Sequence, residues 1–154
     1  MRQQQATVMI VEDFDDTRSM IRHFLEGAGY QVLEAVNGRE AVEIARRELP
    51  HLVLMDLNMP VLDGFSAILR FREDKRLRVL PVVAITAYDT PEFRAAASAV
   101  RCDGYLAKPI DFDKLTGLLD SLLTRNRRAK DSADRGTRAD SLLTLLLSPL
   151  PPAA

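Results

Sequence analysis

Leu52-Val53-Leu54-Met55 is a short apolar run with no alternation, and it ends abruptly on a charge, Asp56. An unbroken run of this length reads as a strand covered on both faces, as in a parallel sheet. A carboxylate at its end is costly unless the strand leaves the core there. Asn58, Met59-Pro60 and Asp63-Gly64 follow, and they signal a loop. Asp56 is therefore expected at the carboxyl end of a central strand, half sheltered. Taken alone, such a residue is a helix cap as readily as a reactive group.

The rest of the chain repeats the pattern. Val8 to Val11 is apolar and ends on Glu12-Asp13. From Asp16 to Ala28 a helical stripe runs through Met20, Ile21, Phe24, Leu25 and Ala28, with Asp15 or Asp16 available as cap and Gly27-Ala28-Gly29 closing it. His23 lies off the stripe and reads as a surface residue. Val32 to Val36 is a second strand. Asn37-Gly38 opens a helix carrying Ala41, Val42, Ile44, Ala45 and Leu49, stopped by Pro50. After Asp63-Gly64 a stripe of Phe65, Ile68 and Leu69 continues to about Glu73, and the charged stretch from Glu73 to Arg78 reads as a solvated connection. Val82 to Ile85 is a fourth strand ending on Thr86. Thr90-Pro91 supplies a cap and a first-turn proline for an alanine-rich helix reaching about Val100, which has little bulk to bury. Gly104 to Ala107 is a fifth strand ending on Lys108-Pro109. Asp111 caps a last helix with Leu115, Leu118, Leu119 and Leu122 on one stripe.

Five alternations of strand and helix predict an α/β doubly wound domain with a parallel sheet, in the flavodoxin-like strand order 2-1-3-4-5 with helices on both faces. In that order Glu12-Asp13, Asp56, Thr86 and Lys108 converge on one crevice at the strand ends. Three clustered carboxylates repel one another, and Lys108 supplies a single opposing charge. A hard divalent cation such as Mg²⁺ (or Mn²⁺) suits the remainder, since it takes one or two carboxylates and leaves positions for phosphate oxygens. Cation, hydroxyl and ammonium together form a clamp for a phosphoryl group, with Asp56 as the candidate nucleophile.

Val11-Glu12-Asp13, Asp56-Leu57-Asn58-Met59-Pro60 with Asp63-Gly64, Thr86-Ala87, and Gly104-Tyr105-Leu106-Ala107-Lys108-Pro109 carry a resemblance. Over roughly residues 6 to 124 the chain resembles the receiver domain of two-component response regulators. The resemblance implies that Asp56 is the phosphorylated aspartate, with Glu12 and Asp13 as the acidic pocket. Asp13 and Asp56 would hold Mg²⁺ with the Asn58 backbone carbonyl. Lys108 would pair with the phosphoryl group, Thr86 would move to hydrogen-bond it, and Tyr105 would be the aromatic switch. A cis Lys108–Pro109 bond is implied, and Asn58 and Tyr88 would modulate phosphoryl lifetime. Tyr88 reads equally as a half-exposed loop aromatic.

The implied partners are a sensor histidine kinase or a histidine phosphotransfer protein on the input side, and an unknown output protein. An alternative is a phosphorelay intermediate that passes the phosphoryl group to a histidine phosphotransfer protein. The implied state is a monomer or a phosphorylation-dependent dimer, a signalling module that catalyses only its own phosphorylation and dephosphorylation. A haloacid-dehalogenase-like phosphatase would need an acid where Asn58 stands. A flavodoxin would need a phosphate loop where Glu12-Asp13-Phe14-Asp15-Asp16 stands.

At 154 residues the chain holds one receiver domain, 1–124, and a tail, 125–154, that reads as largely disordered or a short apolar helix, with no room for a DNA-binding or other output domain. A net charge of −1 gives no basic footprint for nucleic acid. No stretch reaches the roughly 20 apolar residues of a membrane span, and no signal-peptide pattern precedes the apolar run at Val8. The expectation is a soluble cytoplasmic protein.

Overall fold

The computed structural model describes residues 5–59, 61–125, 128 and 132. By compactness the chain divides into Met1–Leu123 and Thr124–Ala154. The tail expected over 125–154 lies almost entirely outside the described residues.

In the first unit the elements run β1 (Thr7–Val11), α1 (Asp15–Gly27), β2 (Gln31–Ala35), α2 (Gly38–Glu48), β3 (Leu52–Asp56), α3 (Gly64–Glu73), β4 (Val82–Thr86), α4 (Pro91–Ala99) and β5 (Gly104–Ala107). Residues 112–125 form α5. All strand pairs are parallel, and the order is β2-β1-β3-β4-β5, as the alternation predicts. β3 and β4 are buried along their whole length, which is why they carry no polar alternation.

Side chains alternate across the sheet, so each strand feeds two cores. Met9, Val53, Met55 and Ala84 meet Ala41, Val42, Ala67, Ile68, Phe71 and Ala97 of α2, α3 and α4. Val8, Ile10, Leu54, Val83 and Ile85 meet Ile21 and Leu25 of α1 and Leu115, Leu119 and Leu122 of α5. The capping residues expected at Asn37, Thr90 and Asp111 accept backbone N–H groups of the first helical turn. Within α4 only Ala97 is buried, in keeping with its lack of bulk.

Several readings are corrected. The residue before α1 is Phe14, which offers no side-chain cap; Asp15 and Asp16 lie inside the first turn, where acids complement the helix dipole. Met20, Leu49 and Leu69 belong to the expected stripes but are exposed. Leu49 ends α2 in the left-handed conformation (φ 47°), which turns it out of the helical phase. Leu69 gives way to Phe71, which is fully buried. The stretch from Glu73 to Arg78 is not merely solvated: Leu77 is buried within it, and Arg72 just before it is buried too.

Gly64 locks α3 against the end of β3. Its N–H donates to the Leu57 carbonyl at 3.3 Å, and a Cβ there would collide with the backbone of Asp56 and Leu57. Only glycine lets the helix approach this closely. The loop between β3 and α3 is thereby pinned beside Asp56.

Candidate functional site

The sheet order sets β1 and β4 on either side of β3, with Met55 level with Val11 and Asp56 level with Ile85. Glu12 and Asp13 leave β1 just beyond that level. Thr86, the last residue of β4, is level with Ala107, and Lys108 follows. The structure thus brings the expected strand-end residues to one edge of the sheet.

Glu12 and Asp56 are almost wholly buried, 2 % and 4 % exposed. Two carboxylates at that depth require a partner. Lys108 is that partner: its Nζ donates to Glu12 Oε2 at 2.9 Å and to Asp56 Oδ2 at 3.3 Å. Burial pushes the Glu12 carboxyl above the usual range; the Lys108 hydrogen bond offsets part of this, and Asp56 repels the charged form. Burial works against the Lys108 ammonium, but the Glu12 hydrogen bond and the Asp56 charge outweigh it, and its pKa lies above the ordinary lysine value.

The two carboxylates are fixed by main-chain donors as well. Phe14 N–H donates to Glu12 Oε1 at 3.3 Å, and Asn58 N–H donates to Asp56 Oδ1 at 3.0 Å. Asn58 itself is exposed. Asp13 is exposed, yet ligand atoms of Glu12, Asp13 and Asp56 all lie within 4.8 Å of one another. Three hard oxygen donors against one ammonium leave the cluster short of positive charge. The residues present therefore fit a small divalent cation.

Beyond β4, the fully buried Thr86 accepts the Tyr88 N–H through Oγ1 at 2.9 Å. Tyr88 is half exposed, and its ring lies 5.9 Å from that of Phe93. Tyr105 is half-buried on β5, with the Arg94 guanidinium 4.9 Å above its ring. Its hydroxyl is buried without a hydrogen bond of good geometry. The phenol pKa is raised by burial first and then by the nearby Asp89 charge. Arg94 is held in turn by Asp89 through two bonds, 2.7 and 3.0 Å. The Lys108–Pro109 bond is cis.

Sequence reasoning missed two arginines. Arg18 of α1 donates to the Glu12 carbonyl at 3.0 Å and to Asp15 at 2.6 Å. Its i, i+3 spacing from Asp15 was a legible signal, but the carbonyl contact was not. Arg94 gave no such signal, since neither Asp89 nor Tyr105 sits at a helical spacing from it on a common element.

Residues 8–120 match the family described as the response regulator receiver domain. The chain belongs to that family. It is 42 % identical over 107 residues to an uncharacterized 14.6 kDa protein of Leptolyngbya boryana, covering 70 % of this chain and 82 % of that one. It is 32 % identical over 117 residues to the polar-differentiation response regulator DivK of Brucella anthropi, covering 76 % of this chain and 95 % of that one. Among solved structures, it superposes with a TM-score of 0.74 on the receiver domain of sensor histidine kinase PA1611 from Pseudomonas aeruginosa, at 31 % identity over 78 % of this chain and 98 % of that one. That structure carries a magnesium ion coordinated in its active-site cleft. Receiver domains are signalling modules of two-component systems that work with histidine kinases. Among the described residues no helix is long and apolar enough to cross a membrane.

Proposed function

We propose that this receiver domain accepts a phosphoryl group on Asp56 from the phosphohistidine of a sensor kinase or histidine phosphotransfer protein, and signals through contact with an output protein. The observation that carries the reading is the bridge from Lys108 Nζ to Glu12 and Asp56. It joins a nucleophile-bearing strand to a cation-holding loop and an oxygen-pairing ammonium in one buried cluster.

Glu12, Asp13 and Asp56, with the Asn58 carbonyl, would hold Mg²⁺. When bound, the ion neutralises charge that develops on the transferring oxygens. Asp56 Oδ attacks phosphorus, the P–N bond to the histidine breaks, and the leaving nitrogen keeps the electron pair, the ring departing as neutral imidazole with the proton its other nitrogen already carries. Asn58 N–H already orients the Asp56 carboxylate. Lys108 exchanges its bond to Asp56 for one to a phosphoryl oxygen, which removes a constraint without leaving the half-buried ammonium unpaired. Thr86 donates its hydroxyl proton to another phosphoryl oxygen, and Tyr105 follows as Thr86 shifts. The exposed Asn58 and Tyr88 set how readily water reaches the aspartyl phosphate.

The test is incubation with acetyl phosphate or phosphoramidate and Mg²⁺, followed by peptide mapping. A labelled Asp56 peptide in the wild type, and none in Asp56→Ala, is expected. Label retained by Asp56→Ala would place the acceptor elsewhere. Loss of labelling on chelation, restored by Mg²⁺, is the accompanying expectation.

A further inference from the structure

We propose that Arg18 is a positioning residue for the cation site: its guanidinium holds the Glu12–Asp13 peptide in the orientation that brings the Asp13 carboxylate to Glu12 and Asp56. The proposal rests on reading those three carboxylates as a divalent-cation site.

Asp13 is exposed, and no hydrogen bond holds its carboxylate among the described residues. Its placement therefore depends on the main chain that carries it. The Glu12 N–H is fixed by the Ala35 carbonyl at 3.1 Å, and the Glu12 side chain is fixed by Lys108 and Phe14 N–H. The Glu12 carbonyl, which shares a peptide plane with the Asp13 N–H, is bonded to Arg18 Nη1 at 3.0 Å. Turning that plane swings Asp13 away from its two neighbours. The helix that follows offers no side-chain cap to fix the turn instead.

Arg18 is itself well anchored. Its side chain is only 15 % exposed. Nη2 lies 2.6 Å from Asp15 Oδ1 and Nε 3.5 Å from Glu34 Oε1. One guanidinium thus ties the end of β1 to the start of α1 and to β2, a three-way contact that its planar fork permits and a lysine ammonium cannot reproduce. Mg²⁺ demands near-ideal octahedral geometry, so a displaced ligand is felt strongly. Losing an outer partner of a metal ligand commonly weakens metal binding by about 10- to 100-fold.

Charge alone predicts the opposite sign. Removing Arg18 leaves Asp15 and Glu34 less neutralised and makes the surroundings more negative, which favours a cation. Positioning predicts weaker binding, and the field predicts tighter binding. Arg22 provides the control. It also pairs with Glu34, at 3.3 Å, and with Glu26, and among the described residues it makes no bond to Glu12.

The experiment is calorimetric titration of Mg²⁺ into wild type, Arg18→Ala, Arg18→Lys and Arg22→Ala, each at a temperature where circular dichroism shows it folded. The expected result is roughly tenfold weaker binding for Arg18→Ala, an intermediate loss for Arg18→Lys, and a change within about twofold for Arg22→Ala. Unchanged or tighter binding by Arg18→Ala overturns the proposal, as does an equal loss in Arg22→Ala. Should Arg18→Ala not fold, Arg18→Lys decides, since wild-type affinity in that variant is equally fatal. A wild type that binds no Mg²⁺ removes the cation site itself, and is told apart because it involves no variant.

Discussion

Thr86 Oγ1 accepts the Tyr88 N–H at 2.9 Å, so the side chain that ends β4 also closes the first turn of the loop beyond it. The oxygen is an acceptor in this bond, and its own proton remains available for donation. On the proposed function, a phosphoryl oxygen would recruit Thr86 without first breaking the loop bond. If the hydroxyl shifts toward the phosphoryl group, the loop that carries Asp89 is drawn with it.

Thr86→Val separates these roles, because it keeps the buried volume and removes the oxygen. It is expected to destabilise the fold by about 1 kcal/mol, the low end for an unsatisfied donor, since the bond is only partly buried. Urea unfolding would measure this, and hydrogen exchange at Tyr88 should accelerate. Thr86→Ser keeps the acceptor and should protect that amide. Equal exchange in the Val and Ser variants would show that the bond contributes nothing.

Arg72 is a second buried anchor, at the opposite end of β4. Its Nη1 donates to the carbonyls of Arg78 and Leu80 at 3.1 and 2.7 Å, and its Nη2 to that of Arg101 at 2.7 Å, with Asp103 at 3.5 Å. Burial holds its pKa below the ordinary arginine value, with Asp103 opposing the shift. Arg72→Met leaves three carbonyls without that donor and should cost about 3 kcal/mol in denaturant unfolding. Arg72→Lys keeps the charge but cannot reach all three carbonyls at once, so an intermediate loss is expected. A loss below about 0.5 kcal/mol, ordinary for a surface site, would mean that water replaces these bonds.

Cys102 gives a pH-dependent signature. Burial lifts its thiol from 9.0 to about 11, with the Arg72 charge opposing the shift. At pH 8 the native thiolate population is then on the order of a hundredfold below that of the unfolded chain. Alkylation by iodoacetamide, followed by mass spectrometry, should slow by a comparable factor on folding, because the thiolate is the nucleophile. The stability linkage has the matching sign. A raised folded pKa gives a contribution that is fully present below pH 9 and is lost as pH rises toward about 11. Equal alkylation rates in native and urea-unfolded protein would contradict both statements.

What could be read from the sequence divides along a physical line. β1, β3, β4 and β5 were legible because each is an apolar run cut off by a polar residue, whereas β2 carries Glu34 within it; the parallel order then brought Glu12, Asp56, Thr86 and Lys108 to one edge. Exposure within the helices was less legible. Met20, Leu49 and Leu69 satisfy an apolar period, yet each falls outside the stripe that the sheet covers. The carbonyl contacts of Arg18 and Arg72 were invisible for another reason. Both arginines serve backbone carbonyls, and a carbonyl leaves no trace in residue type.

Among the described residues of the loop after Asp56, one adopts a backbone conformation that its residue type does not favour. Val61 has φ 71°, in the left-handed region where a β-branched side chain is crowded. It has no compensating burial, since it is 77 % exposed. The neighbouring Leu62 carbonyl is fixed by the Gly38 N–H at 3.0 Å, so the chain cannot relax by shifting there without losing a bond to the start of α2. Asparagine tolerates this conformation, and glycine adopts it freely but gains disorder in the unfolded chain. Val61→Asn is therefore expected to stabilise the domain by about 1 kcal/mol, the low end of the cost of such strain. Val61→Gly should stabilise it by less. Denaturant midpoints at constant m-value would measure the order Asn, Gly, Val. A wild type at least as stable as both variants would mean that the side chain of Val61 makes a contact worth more than the strain.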